Sequence, residues 1–353
     1  MVTGIICEFN PFHKGHKYLI DTVKKDGSSV ICVMSGSFVQ RGECAVYDKF
    51  TRAKAALENG ADLVIELVSE LSVQSAQGFA EAGVKLLEAT GVCDSIAFGA
   101  ECDDLNELIR ISEEIKKRDG EIKSELEKGL SYPAARKKVI DSPVLNEPNN
   151  ILAVEYLSCT KLKPIAVKRI GKGHDSDDAE YSASEIRKAL DKSETASIYN
   201  IERAILSRLR TMSPEDFAKI DDVSEGLENR IYEAVKTASS LDELYSMIKT
   251  KRYTHSRIRR IILRAYLGIS SAIPKKPLYI RILGFNGKGR ELLGNMKKSA
   301  TLPIITKYAD AKAYGGAILE AFERESAYTD LYNLSFLTPR PSETDKTQKI
   351  III

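Results

Sequence analysis

Five stretches in the first half of the chain are short, near-continuous apolar runs: residues 3–9, 28–35, 61–68, 95–100 and 163–170. A strand with one wet face alternates apolar and polar positions. Runs that are apolar at both parities predict strands covered on both faces, as in the centre of a parallel sheet. Between them, "HKYLIDTVKK", "DKFTRAKAALENG", "QSAQGFAEAGVKLLEATG" and "LNELIRISEEIKKRDG" carry apolar residues at helical spacing. Strand and helix thus alternate, which predicts an α/β fold with a doubly wound parallel sheet and right-handed crossovers.

The texture changes after residues 182–192, a short helix entered through serines that can cap its free N–H groups. From 195 to 269 only helical patterns follow, among them "IYNIERAILSRLRTM", "EGLENRIYEAVKTA" and "LDELYSMIKT". A mixed segment comes next, with a candidate strand at 278–286. We therefore expect an α/β domain over 1–193 and a mainly α-helical region over 194–353, with a small α/β segment near 278–306. The closing "TDKTQKIIII" reads as a terminal strand or tail docked on the body.

The composition fits this picture. The chain has 353 residues, enough for two domains, and 43% hydrophobic with 29% charged residues is the balance of a folded globular protein. No apolar run approaches the roughly 18–20 residues of a membrane span, and no basic segment precedes the first apolar run, so a cytoplasmic protein with no membrane association is expected. The six cysteines lack CxxC spacing, which argues against a disulfide framework or a structural zinc. The net charge of +2 hides one strong asymmetry. Lys249, Lys251, Arg252, Arg257, Arg259, Arg260 and Arg264 occur within "KTKRYTHSRIRRIILR" with no acid among them, and Tyr253 and His255 offer surfaces on which unpaired bases could stack. That stretch is a candidate RNA-binding surface, which Lys288, Arg290, Lys297 and Lys298 could extend; its plainer reading is a solvated helix face.

A doubly wound sheet binds ligands beyond the carboxyl ends of its strands. "CEFNPFHKGHKYLID" occupies that place after the first strand and holds His13 and His16, two of only four histidines. Gly15 leaves the following helix N-terminus open to an anion such as phosphate. HxGH alone reads equally as a helix cap. A metal site is weaker still, for want of further ligands. Gly99 ends the fourth run, where the missing Cβ permits close approach of a ligand or makes an ordinary turn. Asn150 could contact a base or ribose, or cap a helix. Arg169 after the fifth run, with Ser184 and Arg187 at the next helix start, is placed to hold β- and γ-phosphates.

HxGH after a first strand, with Ser-x-Ser-x-x-Ile-Arg at a later helix start, resembles the nucleotidyltransferase α/β-phosphodiesterase superfamily and implies its Rossmann-like fold. The blocks "GIICEFNPFHKGHKYLI", "MSGSFVQRGECAVYDKFTRAKAALENGADLVIEL", "QSAQGFAEAGVKLLEATGV", "FGAE", "EPNNILAVEYL", "SEGLENRI" and "KTKRYTHSRIRRI" narrow the resemblance to the tRNA(Met) cytidine acetate ligase family. It implies an ATP-dependent ligase that activates acetate as acetyl-adenylate, releasing pyrophosphate, and passes the acetyl group to N4 of the wobble cytidine of elongator tRNA(Met). It also implies an ATP site over Ile6, Cys7, Glu8, Phe9, Asn10, Pro11, Phe12, His13, Lys14, Gly15, His16, Lys17, Tyr18 and Leu19, joined by Gly99, Asn150 and Arg169. His13 and His16 are the expected catalytic groups, and Lys249, Lys251, Arg252, Tyr253, Arg257, Arg259 and Arg260 the expected tRNA contacts. Mg²⁺ can accompany ATP, although no protein ligand set for it is readable, and no obligate protein partner is readable either. Gln40, Arg41, Asp48, Lys49 and Arg52 could close over acetate or the incoming cytosine, or form a structural loop and helix face. The chain departs from the family's pattern at Ser37, Phe50, Val68 and Ala100, where Asn, Trp, Pro and Ser are usual. An adenylyltransferase acting on a small phosphorylated metabolite is the alternative in another reaction class, and a non-catalytic RNA-binding protein a third reading.

Overall fold

The computed structural model describes residues 1–169, 186, 187, 189–224 and 226–353. Its centre is an eight-stranded sheet. Strands β1 (Val2–Cys7), β2 (Ser29–Ser35), β3 (Phe38–Val39), β4 (Glu43–Cys44), β5 (Leu63–Leu67), β6 (Ser95–Ala100) and β7 (Lys163–Lys168) come from the first half of the chain. Of these, β5-β2-β1-β6-β7 lie side by side and all parallel, while β3 and β4 form a separate antiparallel hairpin. The five apolar runs are thus the five parallel strands. The inner four are buried between two helical layers, Ala76–Ala89, Leu105–Lys117 and Pro148–Cys159 on one side and Lys14–Lys24 with Lys49–Glu58 on the other, while β7 at the edge is half-buried.

The chain winds outward from β1 in one direction through β2 and β5, then crosses to the other side of β1 for β6 and β7. The order therefore reverses at β1, and the crevice between the carboxyl ends of β1 and β6 is where a ligand fits.

The second half differs from expectation in one respect. The strand foreseen in the 278–306 segment does not stay in the helical region. As β8 (Ile280–Phe285) it joins the main sheet antiparallel to β5, and β9 (Ile304–Ile305) and β10 (Ile351–Ile352) pair in parallel along its outer edge. The terminal isoleucines thus form an edge strand. A short-range pattern could not show this, because β8 meets a partner more than 200 residues earlier in the chain.

Residues 198–269 form the helical body, and its core is continuous with the β3–β4 hairpin through Phe38, Val39, Cys44 and Ala45. Helix His255–Leu267 lies against this hairpin. Because the hairpin follows the carboxyl end of β2, the helical body stands beside the edge of the sheet that carries the ligand crevice. Among the described residues, no helix is long and apolar enough to cross a membrane.

Candidate active site

The stretch after β1 turns sharply into helix Lys14–Lys24. Phe9 takes a φ of +46° and the Asn10–Pro11 peptide bond is cis. Three groups fix this turn. Asn10 Oδ1 accepts from the Val46 N–H at 2.8 Å, an Arg187 guanidinium N–H donates to the Asn10 carbonyl at 2.8 Å, and Arg52 donates to the Glu8 carbonyl at 2.7 Å. Arg52 is buried and also donates to the carbonyls of Tyr47, Ser35 and Gly36, so it ties the ends of β1 and β2 together.

His13 and His16 stack on each other, with ring centroids 3.6 Å apart and planes at 22°. Phe9 meets the His16 ring edge-on at 4.9 Å. Each histidine spends one nitrogen on the helix start. His13 Nδ1 accepts from the Gly15 N–H at 3.1 Å, and His16 Nδ1 accepts from the His13 N–H at 3.3 Å. This reciprocal pair is a capping box made of imidazoles. A nitrogen that accepts carries no proton, so each neutral ring holds its proton on Nε2. The cap sets the tautomer and leaves each Nε2–H as a donor. Gly15 also serves the ring beside it. A Cβ there would sit 3.0 Å from His13 Cε1, so the glycine makes room for the histidine ring.

Both rings are held in the neutral form. Burial, followed by the charges of Arg169 and Arg187, lowers the His13 pKa below the ordinary imidazole value. Burial, followed by His13 and Arg169, pushes His16 well below it.

Across the crevice, Gly99 lies in β6 and Arg169 follows β7. The two strands are in register, the Arg169 N–H donates to the Ala100 carbonyl at 3.0 Å, and a Cβ on Gly99 would lie 3.3 Å from Arg169 Cγ. Gly99 thus admits the Arg169 stem, whose guanidinium stays partly exposed and 3.6 Å from Glu101. Asn150 is not a helix cap. Glu147 occupies the N-cap position of helix Pro148–Cys159, and Asn150 is the third residue of its first turn. Its Oδ1 accepts from the N–H groups of Glu101 and Cys102, both at 2.9 Å, and its Nδ2 donates to the Val144 carbonyl at 3.1 Å. It holds in shape the loop that leaves β6. Ser184 lies outside the described residues; Arg187 reaches the Asn10 turn as stated.

This geometry agrees with what the chain is similar to. A family model described as HIGH Nucleotidyl Transferase matches residues 1–201 and 192–349. The tRNA(Met) cytidine acetate ligase of Acetivibrio thermocellus is 35% identical, with 100% of both chains covered. That of Thermoanaerobacter sp. is 38% identical over 95% of each. A crystal structure of Thermotoga maritima TmcAL bound with alpha-thio ATP superposes with a TM-score of 0.90 at 31% identity, covering 99% of both chains. The chain belongs to the tRNA(Met) cytidine acetate ligase family.

Among the residues with both a site role and a structural role open, several take structural places. Asp48 caps helix Lys49–Glu58 and pairs with Arg340, and Lys49 is buried among carboxylates, so with Arg52 they are structural. Gln40 and Arg41 remain at the carboxyl edge, on the hairpin loop.

The basic stretch is corrected most. Arg264 is fully buried; it donates to the Val73 carbonyl at 2.7 Å and faces Asp221 and Asp222. Arg260 is 8% exposed and Tyr253 7%, so neither presents a surface to RNA. Arg257 donates to the Asp222 carbonyl while lying over the Tyr253 ring, and Arg259 pairs with Glu43. The acids missing from the stretch come from other elements. Lys251 is exposed, with Lys249 and Arg252 half-buried beside it.

Lys288, Arg290, Lys297 and Lys298 do not extend that surface. Their helix, Gly287–Ser299, starts where Phe285 pairs with Leu63 at the amino end of β5, opposite the histidines.

The four departures from the family's pattern are absorbed by packing. Ala100 is buried in the core on one face of the sheet with Val68 packed against that core, Phe50 packs against the core on the other face, and the Ser37 hydroxyl lies 3.1 Å from that of Thr329.

Proposed function

We propose that this protein activates acetate with ATP and acetylates N4 of the wobble cytidine of elongator tRNA(Met). The observation that carries this reading is the stacked His13–His16 pair, with both Nδ1 atoms committed to the helix start, at the reversal point of the sheet in a chain of this family. In the first step an acetate oxygen attacks the α-phosphorus of ATP. The new O–P bond forms as the bond from the α-phosphorus to the α,β-bridging oxygen breaks, and pyrophosphate leaves with that oxygen. The Nε2–H groups of His13 and His16 donate to the phosphate oxygens, and the helix N-terminus adds its dipole. A triphosphate placed against the rings favours their charged forms, so ATP raises pKa values that burial depresses in the empty site. Arg169 and Arg187 add positive charge for the β- and γ-phosphates, and Asn150 keeps the loop after β6 in place.

In the second step the exocyclic amine of cytosine attacks the acetyl carbonyl and AMP departs. The base must leave the anticodon stack to reach an enclosed adenylate, which costs least in a single-stranded loop. Lys249, Lys251 and Arg252, together with Arg41 on the hairpin loop, are the basic side chains by which the tRNA approaches this edge. Mg²⁺ enters as the counter-ion of the triphosphate. We place the reaction in the cytoplasm, where ATP and tRNA are at hand.

Acetate-dependent release of AMP and pyrophosphate, with the acyl group trapped by hydroxylamine as acetohydroxamate, tests the first step. Release that ignores acetate but follows a phosphorylated metabolite overturns it in favour of an adenylyltransferase.

A further inference from the structure

The second step needs a group to take the proton of the attacking amine, and the histidine pair does not supply one, because its Nε2 atoms already carry protons. Glu8 stands at the carboxyl end of β1, at the same reversal point, one residue beyond the strand. Side chains alternate along a strand, so Glu8 shares the face of Ile6, which packs against Gly83 of helix Ala76–Ala89, while Phe9 next to it turns towards His16. Glu8 and the histidines thus flank the end of one strand.

The side chain is held in place. Glu8 Oε1 accepts from the Gln40 N–H at 2.7 Å, and the Gln40 side chain is anchored in turn by donating to the Gln74 carbonyl at 3.1 Å. The Glu8 carbonyl is fixed by Arg52. Among the described residues Oε2 accepts no hydrogen bond. We propose that Glu8 is the general base of acetyl transfer, a role that rests on the function proposed above. As the cytosine N4 lone pair forms the C–N bond to the acetyl carbonyl, an N4 proton passes to Glu8 Oε2. The bond from that carbonyl to the adenylate oxygen breaks, and AMP leaves with the electron pair.

The surroundings suit the task. Arg41 and Glu43 face the carboxylate from the hairpin, Arg52 from helix Lys49–Glu58, Tyr156 from helix Pro148–Cys159, and Cys7 from its own strand. Burial outweighs the Gln40 N–H and the two arginines, and holds the Glu8 pKa above the ordinary carboxylate value. A base moved up in this way accepts a proton more readily than an ordinary carboxylate.

Glu8→Gln tests the assignment, since the amide keeps an oxygen for the Gln40 N–H. Single-turnover transfer from preformed acetyl-adenylate to tRNA, a step that does not pass through ATP, is expected to fall about 100- to 1000-fold in the variant. The parent transfer rate should rise with pH as a carboxyl group ionises, and this rise should vanish in the variant. Glu8→Asp should recover part of the transfer rate and with it the pH dependence. Transfer that survives in Glu8→Gln, or a loss that Glu8→Asp does not begin to recover, overturns the assignment. Failure of the parent to acetylate tRNA at all would instead count against the proposed function.

Discussion

Gly42 and Arg260 touch backbone to backbone: a Cβ on Gly42 would lie 2.6 Å from the Arg260 amide nitrogen and 2.7 Å from the Arg259 carbonyl carbon. The hairpin at the mouth of the site and the main helix of the C-terminal body thus meet with no side chain between them. Gly42 also has a φ of +77°. Gly42→Ala should cost about 1–2 kcal/mol for the left-handed backbone alone and about 1–3 kcal/mol more for overpacking. Gly27→Ala is the control, because Gly27 has a φ of +73° but open space around it. Urea unfolding should show the Gly42 variant losing about 1–3 kcal/mol more stability than the Gly27 variant; equal losses would mean that the contact carries no energy.

The same contact explains what the sequence hid. The parallel strands were legible because burial on both faces leaves a local mark, an unbroken apolar run. His13 and His16 were legible because their place after the first strand and their spacing around Gly15 belong to one short segment. Arg260 and Arg264 were not, since arginines normally lie in water and those that neutralise or hydrogen-bond Arg264, Asp221, Asp222 and Val73, sit far away in the chain. One signal was present: the isoleucines at 258, 261 and 262 show the helix to be mostly buried, which leaves little face for RNA. Asn150 and Glu8 were seen as site residues, but their partners, Glu101 with Cys102 and Gln40, could come only from the fold. β8 was found as a strand and misplaced for the same reason.

His13 and His16 give the protein an acid-sensitive turn. Their pKa values are lowered in the folded state, so the unfolded chain binds more protons in the range between those values and about 6.5. Stability should rise with pH through that range and fall as the solution is acidified through it. Asparagine is a good helix cap, so His13→Asn should retain most of the stability near pH 7.5, lose part of the acid sensitivity, and abolish acetyl-adenylate formation. Urea midpoints compared near pH 5 and 7.5 check this. An unchanged pH slope in His13→Asn would mean that His13 is not held neutral.

Lys49 is the centre of a buried ion cluster, 2.6 Å from both Glu66 and Asp345, with Arg281 3.3 Å from Asp345. Glu66 belongs to β5, Arg281 to β8, and Asp345 to the C-terminal tail, so the cluster ties the tail to the sheet. Lys49→Met leaves the carboxylates without their nearest cation and should cost about 3–5 kcal/mol. Adding Asp345→Asn should return part of that loss. A double-mutant cycle in urea measures the coupling; additive losses would mean that the pair contributes nothing.

The most direct measurement is nucleoside analysis of elongator tRNA(Met) after incubation with the protein, ATP and labelled acetate. We expect the label in N4-acetylcytidine at the wobble position, with AMP formed in step, and no label when His13 and His16 are both replaced by alanine. Unlabelled tRNA with the intact protein, or labelling that persists in the double variant, would contradict the account.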